Sequence, residues 1–255
     1  MNLTDNSLRQ EEHTLRLQVL LAHFGIASRR HAADLIREGR VSVDGIVATE
    51  PGMRVRPDGA GVSVDETPLS SDPPPRRRTI LLNKPRGLIC SADEEQGPTV
   101  FECLRDIPER LVPVGRLDKD SEGLLLLSND GEFVHTLTHP RYGHRKEYLV
   151  TIRGTLNDEV LTVLNSPMTL EDGTELRPVG VDYVDGEPNR DPPRYRLLMT
   201  LGEGRNRQIR RMCDQVGLHV ERLIRLAIDD LRLPREVQVG EWRDLTAHEY
   251  ASLMR

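Results

Sequence analysis

Four consecutive leucines, Leu124 to Leu127, follow directly on the polar stretch GRLDKDSEG (residues 115–123). An apolar run this short, bounded by glycine and charge, reads as a buried strand rather than a helix. Asp118 therefore lies in a loop at a strand end, a place where a rigid scaffold fixes a side chain. TILLNK (79–84), EYLVTIRG (147–154) and YRLLMTL (195–201) also read as strands. EFVHTL (132–137), NDEVLTVLN (157–165), RNRQIRRMCDQVG (205–217) and AHEYASLM (247–254) read as helices. Strands and helices mix without regular alternation, which favours an α+β domain with a mixed, mainly antiparallel sheet.

The remaining composition excludes several classes. No apolar run approaches the ~20 residues that a membrane helix needs. The N-terminus lacks the charged-then-apolar pattern of a signal peptide. Cys90, Cys103 and Cys213 are far apart with no CxxC pair, which fits a reduced cytoplasm and not a zinc site. The net charge is -6, yet residues 157–191 alone carry nine acids against Arg177 and Arg190, a local -7 that leaves the rest near +1. Residues 76–88 hold five basic side chains and no acid, and residues 202–225 hold six arginines against three acids. Local field rather than total charge steers a polyanion. The expected polarity is a polyanion-facing side built from residues 29–40, 76–86 and 205–211, with the acidic 171–191 turned away from it.

Residues 1–14 read as a flexible tail and 15–65 as a first domain. LRLQVLLAHFG (15–25) is an amphipathic helix ending at Gly25, and Ser28 N-caps a second helix that stops at Gly39. Arg30 and Arg37 share its polar face, opposite Ala32, Leu35 and Ile36. Alternation around Asp44-Gly45 marks a hairpin. Gly25, Ser28-Arg29-Arg30, Ile36, Gly39-Arg40-Val41 and Val43-Asp44-Gly45 together resemble the S4-type RNA-binding domain. Val19 and Asp44 replace a common Lys and Asn of that domain, which lowers its positive character. Residues 66–78 read as a linker, with Pro73, Pro74 and Pro75 as a stiff spacer and Arg76 to Arg78 suited to an anionic surface. Residues 79–255 form the second domain.

Asp118, Asp120 and Glu122 alone leave several carboxylate chemistries open. A metal site is weak without further oxygen ligands, a glycosidase pair is possible in principle, and a polar turn before a buried strand is the plainest reading. Four further segments narrow the choice: NKPRGLI (83–89), RKEYLV (145–150), EGRNRQIRRM (203–212) and RLIRL (222–226). With GRLDKDSEGLLLLSNDG (115–131), in this order, they resemble the RsuA/RluB-type ribosomal RNA pseudouridine synthases, and within them the branch acting on 23S rRNA. The resemblance spans residues 15 to about 246.

That resemblance implies a catalytic role for Asp118, an Arg set against it at Arg210, and an aromatic ring stacking on the flipped base at Tyr148. It implies an apolar wall at Leu223 and Ile224, for which ordinary core packing is an equal reading. Arg29, Arg30, Arg37, Arg40, Arg116, Arg207 and Arg211 are expected RNA contacts. Lys84 fits either a phosphate contact or a structural role. No cofactor and no metal are implied, and His135, His139, His144 and His219 lack metal-ligand spacing. The expectation is a monomeric, cytoplasmic enzyme isomerising uridine in ribosomal RNA, without a membrane. A 16S rRNA enzyme of the same family and a non-catalytic S4-domain ribosome-assembly protein are the alternatives.

Overall fold

The computed structural model describes residues 14–69, 76–91 and 97–255. Most of the expected tail and Pro73 to Pro75 lie outside them. The chain divides into two units, Met1–Arg77 and Arg78–Arg255.

The first unit runs β1 (Leu15–Arg16), α1 (Leu17–His23), α2 (Arg29–Arg37), β2 (Val41–Val43), β3 (Ile46–Val47), β4 (Arg54–Val55), β5 (Val62–Val64) and β6 (Thr67–Pro68). The Ser28 hydroxyl accepts from His31 N at 3.2 Å and caps α2. Asp44 and Gly45 both take positive φ, 50° and 78°, as a two-residue turn between β2 and β3 requires. Leu17, Leu20, Leu21, Ala32, Leu35 and Ile36 bury one stripe of each helix against Val41, Val55 and Val62. β6 falls within the stretch read as linker. A two-residue edge strand ending in proline has no alternation for a sequence pattern to detect.

The second unit is built on a nine-stranded sheet. Its elements are β7 (Thr79–Lys84), β8 (Val112–Val114), β9 (Glu122–Ser128), α3 (Gly131–Thr138), β10 (Lys146–Arg153), α4 (Asp158–Leu164), β11 (Gly180–Glu187), β12 (Arg194–Leu201), α5 (Gln208–Gln215), β13 (His219–Ile228), β14 (Leu231–Arg232), β15 (Trp242–Asp244) and α6 (Ala247–Leu253). The strand order is β11-β12-β10-β13-β9-β7-β15, with β8 beside β9 and β14 beside β13. Every pairing is antiparallel except β9 with β13. The fold is α+β.

The four leucines explain this layering. All four are fully buried, and because side chains alternate along a strand they supply both faces. Leu125 and Leu127 join the core that includes Ile209, Met212 and Cys213 of α5 and Leu164 of α4. Leu124 and Leu126 join the core of Phe133 and Leu137 from α3 and Leu253 from α6. Each fully buried leucine contributes roughly 1.5–3 kcal/mol, so β9 is held between two apolar layers.

The acidic stretch contains the edge strand β11, a hairpin partner of β12. The ten-residue β13 has no simple apolar alternation, because Glu221, Arg222 and Arg225 interrupt it. Arg78, expected at an anionic surface, is instead bonded to Asp244 at 2.7 Å and Glu109 at 2.9 Å, with its guanidinium 5.1 Å from the Trp242 ring centroid. It closes the sheet edge rather than facing a ligand.

Candidate active site

One transverse row of the sheet organises the site. Lys84 on β7 pairs with Gly123 on β9, Gly123 with Arg225 on β13, and Arg225 with Tyr148 on β10. Strand alternation gives these four positions the same face as Leu82, Leu125, Leu223 and Val150. The row therefore ends the apolar core, and two buried cations flank a glycine there. Gly123 takes φ +97°, and a Cβ on it would lie 2.4 Å from Arg225 O. Only glycine lets β13 approach β9 at this point.

The loop before β9 is held by its main chain. Lys84 has no exposed surface, and its Nζ donates to Ser121 O at 2.7 Å, Asp118 O at 3.2 Å, Lys119 O at 3.4 Å and Pro85 O at 3.1 Å. Gly87 N donates to Lys119 O at 2.8 Å, and Arg210 Nη2 to Asp120 O at 3.2 Å. Leu117 N donates to Cys90 Sγ at 3.4 Å. Each carbonyl from Asp118 to Ser121 is thus bound from outside the loop. The half-buried Asp118 carboxylate makes no hydrogen bond or ion pair among the described residues. Burial holds the Lys84 ammonium below its usual pKa, against the opposing pull of Cys90, Glu122, Asp118 and Asp120.

This geometry corrects part of the sequence reading. Lys84 is walled off from any phosphate, and its place is structural. Arg210 is buried, as an edge position on α5 allows, but forms no direct ion pair with Asp118. Its Nη1 donates to Val220 O at 3.0 Å, while its Nε is buried with no partner among the described residues. Burial lowers the Arg210 pKa, Arg207 and Arg86 add to that, and Asp120 and Asp118 oppose it. Asp118 is therefore within electrostatic reach of Arg210.

Glu122 leaves the carboxylate group entirely, because Arg222 binds both its oxygens at 2.7–3.2 Å. Leu223 and Ile224 are successive residues of one strand and point to opposite faces, so they form no common wall. Leu223 is core, and the residue of β13 that shares a row with Tyr148 is Arg225. Arg225 is 2% exposed, donates through Nε to Leu124 O at 2.7 Å and leaves Nη2 buried without a partner among the described residues. The sequence reading missed it. The available signal was an arginine two positions from Leu223, within the apolar second half of the strand.

The basic residues fall into two sets. Arg116 and Arg207 are exposed, Arg207 at φ +49° as the N-cap of α5. Arg211, expected toward RNA, is bonded at 2.7 Å to Asp172, whose carboxyl is held down at about 2 by its bonds to Thr174 and Arg211. The acidic stretch, expected to turn away from the basic set, therefore reaches it at Arg211. In the first unit Arg29 and Arg30 are exposed and have no ion pair among the described residues. Arg37 is bonded to Asp34 at 2.8 Å, and Arg40 to Asp65 at 2.6–2.8 Å. Among the described residues no group of three His, Cys, Asp or Glu could hold a metal, and no helix is long and apolar enough to cross a membrane.

The Asp118 carboxylate, unpaired among the described residues, thus stands on a pinned loop within electrostatic reach of the buried Arg210 guanidinium, and the chain around it is similar to known proteins over most of its length. The sequence profile of the RNA pseudouridylate synthases matches residues 78–215, which include Asp118, Tyr148 and Arg210. The chain belongs to the RNA pseudouridylate synthase family. The S4 domain profile matches residues 15–59. Ribosomal large subunit pseudouridine synthase B of Bacillus subtilis is 39% identical over 239 residues, covering 93% of this chain and 95% of that one. The synthase of the same name from Salmonella typhi is 37% identical, covering 90% of this chain and 79% of that one. A crystal structure of a pseudouridylate synthase superposes with a TM-score of 0.66 at 28% identity, covering 94% of this chain and 99% of that one. This synthase thus joins an S4 domain to a pseudouridylate synthase domain, as the sequence motifs implied.

Proposed function

We propose that the protein isomerises uridine to pseudouridine in ribosomal RNA, and that its target lies in 23S rRNA. The carrying observation is the Asp118 carboxylate, unpaired among the described residues, on a loop whose four carbonyls are all bound from outside. Isomerisation breaks the bond between ribose C1′ and uracil N1 and makes one from C1′ to C5. A carboxylate serves at C1′ as a nucleophile or by stabilising the positive charge that develops there. Either role needs an ionised oxygen with no competing partner.

Tyr148 provides the ring on which the flipped base stacks, and stacking offsets part of the unstacking cost. Arg210 fixes the loop through Asp120 O and holds a positive field near the carboxylate. Arg116 and Arg207 meet phosphates at the rim, and Arg29 and Arg30 serve the S4 domain in the same way. The target choice follows the Bacillus subtilis and Salmonella typhi relatives, both named for the large ribosomal subunit. Cytoplasmic action follows from such a substrate.

Asp118→Asn tests the chemistry. It should abolish pseudouridine formation while leaving RNA affinity within about twofold, because only one charge is lost; substantial residual turnover would refute the role. Pseudouridine mapping on 16S and 23S rRNA, in cells with and without the gene, tests the target. A lost site in 16S rRNA would assign the protein to the small subunit instead.

A further inference from the structure

The segment joining α3 to β10 carries an exposed aromatic cluster that the chemistry above does not use. A 3-10 turn at Pro140–Tyr142 presents Tyr142 with 43% of its surface exposed. The Arg141 guanidinium lies 4.4 Å from the Tyr142 ring centroid. His135 and His139 approach the same ring edge-on, at 6.4 Å and 87° and at 6.2 Å and 78°. His144 anchors the far end, its ring bridging the Asp229 carboxylate at 2.6 Å and Thr136 O at 3.2 Å. The ring is thus held in orientation while much of it stays open to solvent. A tyrosine kept only for packing would be covered, since burial is what an aromatic ring contributes to a fold.

The cluster also lies next to both arms of the site. Thr138 Cγ2 is 4.0 Å from the Cβ position of Gly115, three residues before Asp118. Gly143 O is 3.8 Å from the Cβ position of Gly202, at the start of the loop that carries Arg205 and Arg207. Lys146 donates to His144 O at 2.8 Å, and Tyr148 follows two residues later on β10. Arg145, next to His144 in the chain, adds an exposed positive charge to the same segment.

An exposed ring paired with a guanidinium, among cations, is the chemistry that receives an unpaired base of a single strand. We propose that Arg141 and Tyr142 form a stacking platform for an unpaired nucleotide flanking the target uridine. This rests on the reading of the protein as an rRNA-modifying enzyme. It adds a contact that holds the strand beside the flipped base, outside the pocket where chemistry occurs. The platform acts on substrate binding, because the flanking base is equally stacked before and during the reaction.

The test uses the full-length enzyme and an rRNA fragment that the wild type modifies. Tyr142→Ala should raise KM about 5- to 150-fold, the worth of one stacked base, with kcat within about twofold and an unchanged melting temperature. Tyr142→Phe keeps the ring and should stay within about twofold of wild-type KM. A photoreactive phenylalanine analogue at position 142 should crosslink within a few nucleotides of the modified uridine. An unchanged KM in Tyr142→Ala, a KM loss shared by Tyr142→Phe, or a fall confined to kcat overturns the platform. A wild type that forms no pseudouridine in any rRNA fragment would instead overturn the function on which it rests.

Discussion

The Lys84 ammonium, on a side chain with no exposed surface, donates to the main-chain oxygen of Asp118 at 3.2 Å. The same Nζ reaches Lys119 O and Ser121 O, so one buried cation sets the path of the loop that presents the carboxylate. Charge is needed only as a source of donors here, and the surrounding carboxylates oppose its desolvation. Lys84→Met would keep the volume, leave Ser121 O without its donor, and leave Asp118 O and Lys119 O held only by Ser121 N and Gly87 N. The expected cost is roughly 2–4 kcal/mol of stability and at least a ~100-fold fall in kcat through a displaced Asp118. Chemical denaturation and single-turnover kinetics measure both. Wild-type kcat in a folded variant would show that the loop holds its shape without the lysine.

Gly123 is the second structural fulcrum. Any Cβ there must displace the β13 backbone at Arg225, which lies 2.4 Å from its ideal position, and must accept φ +97°. Gly123→Ala should cost roughly 2–4 kcal/mol. The displacement would push β13 against β10 and disturb the pairing of Arg225 with Tyr148. Activity should fall further than stability does, as read from kcat measured well below the melting transition.

The Asp172 and Arg211 pair, 2.7 Å apart, sets the reach of the acidic stretch into the basic face. Asp172→Asn releases the guanidinium to solvent or phosphate. RNA binding should tighten at low salt, and the slope of log K against log salt should steepen by about 0.7–0.9 for one added phosphate contact. An unchanged slope would mean that Arg211 lies off the RNA path.

Thr246 and Glu249 cap α6 reciprocally, and Glu249 also binds Arg243 at 2.6 Å. Those bonds lower the Glu249 carboxyl from its ordinary 4.5 to about 2. A carboxylate whose folded pKa is depressed contributes stability above its unfolded pKa. That contribution is lost as pH falls from about 4.5 toward 2. Glu249→Gln should therefore be less stable at neutral pH and show a flatter acid limb across that window. Equal acid limbs for both proteins in thermal melts would rule this out.

Much of the fold was legible in the residues themselves. Leu124 to Leu127 announced a strand covered on both faces, Ser28 and Gly39 marked the ends of α2, and Asp44-Gly45 fixed a hairpin. These are local effects of solvation and backbone sterics, which act between neighbours in the chain. The motifs around Asp118, Tyr148 and Arg210 were legible as a family pattern for the same reason, since each lies within a short continuous segment.

What the sequence determined by itself was the family pattern around Asp118, the S4 pattern and the buried strand. What only the tertiary structure decided was which charges meet. Lys84, Gly123, Arg225 and Tyr148 lie on four different strands and become neighbours only through sheet register. Arg211 is drawn to Asp172, and Arg78 to Asp244 and Glu109, by partners 39, 166 and 31 residues away. Charges interact over ångströms of space and not over positions in sequence, so a basic run predicts a contact with RNA only where no acid has been folded against it.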